Sequence, residues 1–267
     1  GYLVHPMVTS GLLLEHGCER THNDALEDSL EEAGVDPKRF GWASVQLDGG
    51  IENVTRKVIQ WFGEHGNPNR TPKASPGGIR DLGLGLTCVG NPPKSVACAF
   101  AQVAGTVVDL GGTIIIPEHS PLLNQPEFQN QIFERPVTKP TLAYGQSAKW
   151  RGLHIMETPT DHHVETLTGL GATGVSIILS FVDGPPAQAH PLVPVLQITT
   201  AGNPRAQGDQ RVDWDLIWGE GGVSDAESLK RLWDLIAATA ARRYNPRLFL
   251  RGNVDFQMTR GLLGVSL

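Results

Sequence analysis

Residues 82–116 read LGLGLTCVGNPPKSVACAFAQVAGTVVDLGGTIII. The apolar runs at 82–87 and 113–116 each predict a buried strand. Between them, apolar side chains at helical spacing predict a helix that begins near Pro93, where a proline costs no hydrogen bond. These side chains are Val96, Phe100, Val103 and Val107. A strand, a helix and a second strand in this order predict a βαβ unit, in which the two strands lie parallel.

The same alternation extends in both directions along the chain. Upstream, the pattern predicts strands at 11–16 and 42–47 and helices at 23–33 and 51–64. Downstream, it predicts strands at 153–156, 174–182 and 195–200, a helix at 161–170 and a long helix after Ser224. We therefore expect an α/β fold with mostly parallel sheets, flanking helices and Rossmann-like βαβ units. The expected organisation is two lobes, with 1–66 as the first α/β lobe, 67–81 as a linker rich in proline and glycine, and 82–267 as the C-terminal α/β domain.

Composition excludes several classes of protein. The chain has 267 residues, 40% hydrophobic and 19% charged, with a net charge of −6. This balance is typical of a folded domain and does not favour nucleic acid as a partner, since no basic run is present. Three cysteines are too few for a disulfide framework, and no apolar stretch reaches the length of a membrane span. We expect a cytoplasmic protein, and the absence of an initiator methionine suggests a piece of a longer chain.

Polar residues gather where the apolar runs end. Glu15, Cys18 and Glu19 follow the first predicted strand, while Cys88 and Asn91 end or follow the strand at 82–87. The same holds for later strands, which are followed by Glu118-His119, by Glu157-Thr158 and by Thr199-Thr200. In parallel sheets, ligands bind outside the carboxyl ends of the strands. The sequence therefore predicts the position of a site before it predicts its chemistry.

Several of these groups have a chemical and a structural interpretation. Cys18 and Glu19, with His22 nearby, carry donor atoms that bind divalent transition metals. Alternatively, Cys18 is a small residue that closes a tight turn and Glu19 lies on the surface. Cys88 lies at a similar strand end and is favoured over Cys98, which falls inside a helix.

Three further motifs also allow a functional or a structural interpretation. Glu118-His119 and Glu157 can act as general acid or base if the strand ends converge. Asp161-His162-His163 is best interpreted as the polar start of a helix, with Asp161 as its cap. The GxGxxG match at 169–174 precedes a strand instead of following one, so we expect a helix end and a turn there.

Six segments, in the same order along the chain, resemble the altronate and galactarate dehydratase family. The first combines the N-terminal GYLVHP with GLLLEHGCE at 11–19 and looks like the family's stretch of GYxxHPN followed by GLGCE. The others are LTCVG at 86–90, GTIIIPE at 112–118, GLHIMETP at 152–159, LTGLGA at 167–172 and PVLQITT at 194–200. The resemblance covers most of residues 1–200 and identifies the chain as a diverged member of the family's C-terminal region.

The resemblance implies a function and a site. Members of this family remove water from sugar acids with the help of a divalent metal, usually Fe²⁺, and Mn²⁺ is an alternative. By position, it implies Cys18 and Cys88 as metal ligands and Glu157, His5 and Glu19 as catalytic residues. The expected substrate-binding residues are Asn91, Thr158 and Thr200. A related activity, removal of sulfite from sulfolactate, is an alternative.

The chain also departs from the family pattern. It begins after the family's N-terminal section, it is shorter between 124 and 150, and it lacks the family's polar residues at 89–92 and 184–190. These departures favour a second alternative, a diverged, non-catalytic domain that binds sugar acids. The expected partners are a small carboxylate substrate and the missing N-terminal section of the same enzyme or a partner subunit. A homo-oligomer is also expected, whereas nucleic acid and membrane are not.

Overall fold

The structure, a computed structural model, describes residues 1–19, 21–66, 77–133 and 140–258. The described chain divides into two compact units. The smaller comprises residues 8–66, and the larger comprises 77–258 together with 1–7. Residues 1–7, which the sequence analysis assigned to the first lobe, thus group with the larger unit. Most of the predicted linker lies outside the described residues.

The smaller unit has a β-α-β-α order. Its elements are β1 (Leu12–Glu15), α1 (Asn23–Glu32), β2 (Gly41–Ser44) and α2 (Ile51–His65), and β1 pairs parallel to β2 with Leu12 opposite Gly41. β2 ends at Ser44, three residues before the predicted end, because the chain turns there. The Asp48 carboxylate accepts a hydrogen bond from the Ser44 amide at 2.8 Å, which fixes the turn.

The larger unit is built on a six-stranded sheet in which every strand pairing is parallel. Its strands are β3 (Gly83–Val89), β4 (Thr113–Pro117), β5 (Gly152–Met156), β6 (Ile177–Val182), β7 (Val195–Thr200) and β8 (Leu216–Trp218). Their spatial order is β5-β4-β3-β6-β7-β8. The α/β class with parallel sheets is therefore confirmed. The chain reverses its direction of growth between β3 and β6, which is the switch point where such sheets bind ligands.

Helices cover both faces of this sheet. They are α3 (Lys94–Asp109), α4 (Pro126–Ile132), α5 (His163–Ala172), α6 (Asp225–Ala240) and α7 (Arg247–Leu250). Short 3₁₀ turns lie at Tyr2–Val4, Pro37–Arg39, Ile79–Asp81, Pro121–Asn124, Pro204–Ala206, Gly208–Asp213 and Glu220–Gly222. Ser224 caps α6, since its hydroxyl accepts a hydrogen bond from the Glu227 amide at 3.2 Å. The Glu227 carboxylate pairs with Arg231 at 3.1 Å, and no returning bond to Ser224 completes a capping box among the described residues.

An apolar core forms on each face of the sheet, and a smaller third cluster gathers Val182, Ala206, Trp214 and Ile217. Side chains of a strand alternate between the two faces. Accordingly, Ile114 and Ile116 of β4 pack with α3, α4 and α6, and Ile115 packs with α5. The predicted apolar stripe of α3 is fully buried in the first core. Both faces of the sheet are therefore covered, and the loops that can form a site lie at its carboxyl edge.

Three elements were missed by the sequence analysis. β8 has only three residues, α4 is a seven-residue helix within a stretch that shows weak periodicity, and α7 is a single turn. The tail after Pro246 therefore begins with a helical turn, in which Leu248 is buried. Beyond this turn it is extended and docked, because Ala189 donates to the Asn253 carbonyl and accepts from the Asp255 amide, each at 3.0 Å.

Candidate functional site

A pocket of about 320 Å³ lies at the carboxyl ends of β3, β4 and β5, beside the start of α5. This volume lies within the range of small-molecule sites. Most of its lining residues have polar side chains, although the larger part of the lining surface is apolar, and they come from the ends of three strands and the loops that follow them. The lining residues are Thr87, Cys88, Val89, Gly90, Pro117, His119, Ser120, Pro121, Thr158, Thr160, Asp161, His163 and Thr166. The convergence of strand ends expected from the sequence therefore occurs in the larger unit.

Two buried hydroxyl groups at the wall of this pocket lack a nitrogen or oxygen partner. Ser120 and Thr158 are 4% and 1% exposed, and among the described residues neither hydroxyl has such a partner. The Ser120 hydroxyl interacts with the Cys88 thiol, whereas the Thr158 hydroxyl has no partner in the part of the chain that the structure describes. A buried hydroxyl without a partner carries the cost of its lost hydration. At the border of a pocket, a ligand that reaches the Thr158 hydroxyl would relieve this cost.

The loop that carries Thr158 is held by a carboxylate. Glu118, which follows β4, accepts a hydrogen bond from the Thr158 amide to its Oε1 at 2.8 Å. The same oxygen lies 3.7 Å from Nε2 of His119, which lines the pocket. Glu118 was predicted as a possible acid or base, and its position in the structure is that of a support for the pocket wall.

Cys88 lies at the floor of the pocket. Burial raises the pKa of its thiol well above the ordinary value, and the opposing effects of the Ser120 hydroxyl and the Phe181 and Leu122 amides are smaller. The side chain is therefore a neutral thiol at physiological pH.

His163 is the pocket residue that the sequence analysis placed outside the site. α5 begins at His163 with His162 as its cap position, and no side chain caps it, so the prediction of Asp161 as the cap is wrong. Asp161 instead lines the pocket. Adjacent histidines pointed to a polar helix start, and nothing in the sequence indicates that only the second of them enters a pocket.

Three of the predicted residues at these strand ends lie outside the pocket lining. The Glu157 side chain is exposed, and its backbone amide donates to the Leu142 carbonyl at 2.9 Å. Asn91 is also exposed. Thr200 ends β7, two strands away from β3 in the sheet. Thus Cys88 and Thr158 are the predicted residues that the structure brings into this pocket.

His5 lies at the opposite end of the sheet. Its Nε2 is 3.0 Å from the carbonyl of Val175, which precedes β6, and its Nδ1 accepts from the Met7 amide at 3.0 Å. Burial lowers the pKa of His5, which favours the neutral ring. A neutral ring makes both contacts, because Nε2 donates to the Val175 carbonyl while Nδ1 accepts from the Met7 amide. A six-residue strand spans about 20 Å, and this length separates His5 from the carboxyl edge. Its interactions are those of a residue that fastens the N-terminal segment.

Tyr2 fastens the same segment. Its hydroxyl donates to the Thr168 carbonyl at 2.6 Å and lies 2.9 Å from Nε2 of His190. A Cβ on Gly171 of α5 would overlap this hydroxyl, so glycine is needed there for the close approach. Burial lowers the pKa of His190 to about 4, with a smaller effect from His5, and the ring is neutral at physiological pH.

Cys18 and Glu19 lie in the smaller unit, in the loop after β1. The Glu19 carboxylate accepts hydrogen bonds from the amides of His16, Gly17 and Cys18 at 2.7, 2.8 and 2.9 Å. Its own amide and these three hold the pKa of Glu19 at about 2. Cys18 is exposed, and its Sγ accepts from Gln46 at 3.0 Å. The carboxylate is thus engaged within its own turn.

These positions bear on the expected metal. The Glu19 oxygens already accept three backbone hydrogen bonds. Across the described ranges, no three side chains of His, Cys, Asp or Glu lie together in a way that would hold a metal ion. The arrangement within each unit therefore does not fit the metal site implied by the resemblance, and we derive no step through a metal.

Two findings complete the description of the chain. Of the helices in the described part, none is both long and apolar enough to cross a membrane. No protein-family model matches the chain, and a search of curated proteins finds no match.

Proposed function

We propose that this protein is a lyase of the sugar-acid dehydratase type that removes water from a hydroxy-carboxylate, such as an aldonate or aldarate, bound in the pocket of the larger unit. Two lines of support meet here. The sequence segments resemble those of such enzymes, and the polar pocket lies at the carboxyl edge of a parallel sheet. Sulfolactate, which carries a sulfonate in place of a hydroxyl, is the alternative substrate of the same reaction class.

The observation that carries the proposal is the buried Thr158 hydroxyl at the border of the pocket, which has no partner among the residues that the structure describes. Ser120, from the loop after a different strand, borders the same pocket, and its hydroxyl has no nitrogen or oxygen partner among them. A polyhydroxy ligand offers both donors and acceptors to such groups. A ligand of this kind relieves a cost that the free protein otherwise retains.

Titratable groups in the lining suit a ligand that is rich in hydroxyls. The Asp161 carboxylate accepts hydrogen bonds from sugar hydroxyls, and His119 and His163 offer imidazoles to groups that gain or lose a proton. Removal of water requires such groups, because one proton leaves carbon and the departing hydroxide takes up another. The chemistry of the lining is therefore consistent with elimination.

Thr158→Val tests the proposal because it keeps the shape of the side chain and removes the hydroxyl. We expect the free energy of unfolding to rise by about 1 kcal/mol, since a buried unpartnered group is lost. We also expect the affinity for galactarate or altronate, measured by calorimetry, to fall about tenfold, the equivalent of one hydrogen bond. Formation of a 2-keto acid from either substrate tests turnover.

Ser180→Ala is the matched control. Ser180 is fully buried in β6 and also lacks a hydrogen-bond partner within the described chain, but it does not line the pocket. This change is expected to stabilise the protein without altering ligand affinity. If neither acid nor sulfolactate binds the unmodified protein, or if Thr158→Val leaves their affinity unchanged, the proposal is wrong.

A second candidate function is a non-catalytic domain that binds sugar acids. It is favoured by one observation: the pocket lining given above includes no lysine or arginine to hold a substrate carboxylate. Binding of the acids without formation of any product would support this candidate over the enzyme. For either function we place the protein in the cytoplasm, with a small carboxylate as its ligand, and with a further section of the enzyme, a partner subunit or a second copy as its protein partner.

A further inference from the structure

His163 is the pocket residue with the most defined chemical state. It is half-buried at the first position of α5, and its Nε2 lies 3.1 Å from the carbonyl oxygen of Gln188. A carbonyl only accepts hydrogen bonds, so Nε2 must carry a proton. In the neutral ring the other nitrogen, Nδ1, then holds a lone pair.

This lone pair is not engaged by the protein. Among the hydrogen bonds of the described chain, the Gln188 carbonyl accounts for the only one made by the ring of His163. Burial lowers the pKa of His163 below its ordinary value of 6.5, and the neighbouring His162 lowers it further, against the smaller opposing effect of the Gln188 carbonyl. The ring is consequently neutral at physiological pH, in the form that accepts a proton.

The surroundings are compatible with this role. The other titratable groups that line the same pocket are Asp161 from the preceding loop, His119 from the loop after β4 and Cys88 from β3. His162 and Glu165 are its neighbours on its own element. Asp161 is the acidic residue of this lining, and it shares the pocket with the His163 ring.

We propose that His163 is the general base of this pocket, and that its Nδ1 removes the proton next to the carboxylate of a hydroxy acid. The inference rests on the proposed function. It assigns the proton transfer to His163 and not to a glutamate at the end of a strand. The Gln188 carbonyl fixes the tautomer of the ring, because it accepts a hydrogen bond from Nε2.

The step balances as a simple elimination. The proton on the carbon beside the carboxylate moves to Nδ1, and the pair of electrons from that C–H bond forms a C=C bond. The C–O bond on the next carbon breaks, and the hydroxide leaves as water after taking a proton from solvent. The imidazolium then returns its proton to solvent, and the enol product converts to a 2-keto acid.

The test compares two neighbouring histidines in the full chain. His163→Gln retains an amide that can donate to the Gln188 carbonyl but has no basic nitrogen. We expect turnover of galactarate or altronate to fall about 100-fold or more, the typical contribution of a general base, while affinity for the acid changes far less. His162→Gln is the control, because His162 is exposed and outside the lining, and its turnover should stay within about twofold.

A pH profile adds a readout that a purely structural role would not move. In the unmodified protein, kcat/KM should fall on the acid side with a midpoint below 6.5, because protonation of His163 removes the base. This acid limb should be absent from the residual activity of His163→Gln. Equal turnover in His163→Gln and the unmodified protein would overturn the inference and leave the proposed function standing.

Nitrogen NMR of histidine-labelled protein decides the question independently of turnover. We expect Nε2 of His163 to carry the proton at pH 7 and Nδ1 to be unprotonated, with the Nδ1 signal shifted when galactarate binds. A protonated Nδ1, or a ring insensitive to a bound acid, would overturn the assignment. Absence of binding and turnover in the unmodified protein would instead overturn the proposed function together with this inference.

Discussion

The loop after β1 and the carboxyl edge of the larger sheet both gather polar residues at the ends of apolar strands, and they use them in opposite ways. Cys18 lies in the first region, and Cys88 lies near the end of β3 in the second. In the loop after β1, the carboxylate of Glu19 accepts hydrogen bonds from three successive backbone amides. At the carboxyl edge of the larger sheet, the Ser120 and Thr158 hydroxyls are left without a nitrogen or oxygen partner among the described residues. A polar strand end therefore predicts a loop, and only packing decides whether its polar groups are used by the chain or left for a ligand.

Thiol chemistry should show the largest difference between the two regions. Cys18 is exposed, whereas Cys88 is buried and burial raises its pKa. Because the thiolate is the reactive form, we expect alkylation of Cys88 by iodoacetamide at pH 8 to be at least about 100-fold slower than that of Cys18. Mass spectrometry of the digested protein measures each site, with the half-buried Cys98 as an internal reference. Comparable rates at Cys18 and Cys88 would contradict the burial of Cys88.

Removal of the Glu118 carboxylate should have the next largest effect. Glu118→Ala leaves the amide of Thr158 without its charged acceptor, so the free energy of unfolding should drop by about 2 kcal/mol. The affinity for a sugar acid should weaken as the loop loses its support. Asp234→Ala is the matched control, since Asp234 pairs with Lys230 on the exposed face of α6 and its loss should cost about 0.5 kcal/mol or less. Chemical denaturation measures both values.

Acidification should release the turn of the smaller unit at an unusually low pH. The folded pKa of Glu19 is about 2, below its ordinary value of 4.5, so its contribution is complete above 4.5 and is lost as the pH falls towards 2. The amide NMR signals of His16, Gly17 and Cys18 should move together over this interval. In Glu19→Gln the concerted movement should disappear, and its persistence there would show that another group causes it.

The smallest effect is expected at Asn91, which the sequence predicted as a substrate-binding residue. Its side chain is exposed and outside the pocket lining. Asn91→Ala should therefore change the affinity for galactarate or altronate by no more than about twofold. Calorimetry on this variant beside Thr158→Val gives a direct comparison of two residues that the sequence treated alike. A large loss at Asn91 would move the site towards the loop after β3.

Much of the fold followed from local patterns. Apolar runs and helical spacing predicted β3, α3 and β4 because each pattern reports the burial of one continuous segment. β8 was not predicted because three residues are too few to form a pattern. α4 was not predicted because few of its side chains are apolar. The burial of both faces of β4 was also predictable, because three successive isoleucines are typical of a strand that is covered on both sides.

The site was less predictable because its properties depend on distant neighbours. The convergence of strand ends follows from topology, and Cys88 and Thr158 line one pocket as a result. The missing partners of Ser120 and Thr158 depend on how two loops pack, which no single segment encodes. His5 shows the reverse problem: it occurs in a motif that suggested catalysis, but its ring nitrogens are used by Val175 and Met7.

The order of strands has a consequence for how the protein is made. β3 lies between β4 and β6, and its Gly83 amide meets the Ser176 hydroxyl from 93 positions further along the chain. As synthesis proceeds from the N-terminus, β3, β4 and β5 leave the ribosome before β6. During this time, the edge of β3 that will pair with β6 has no neighbouring strand. Such an edge is a template for pairing with other chains until β6 arrives. The central strand of the finished sheet is therefore its most vulnerable strand during translation.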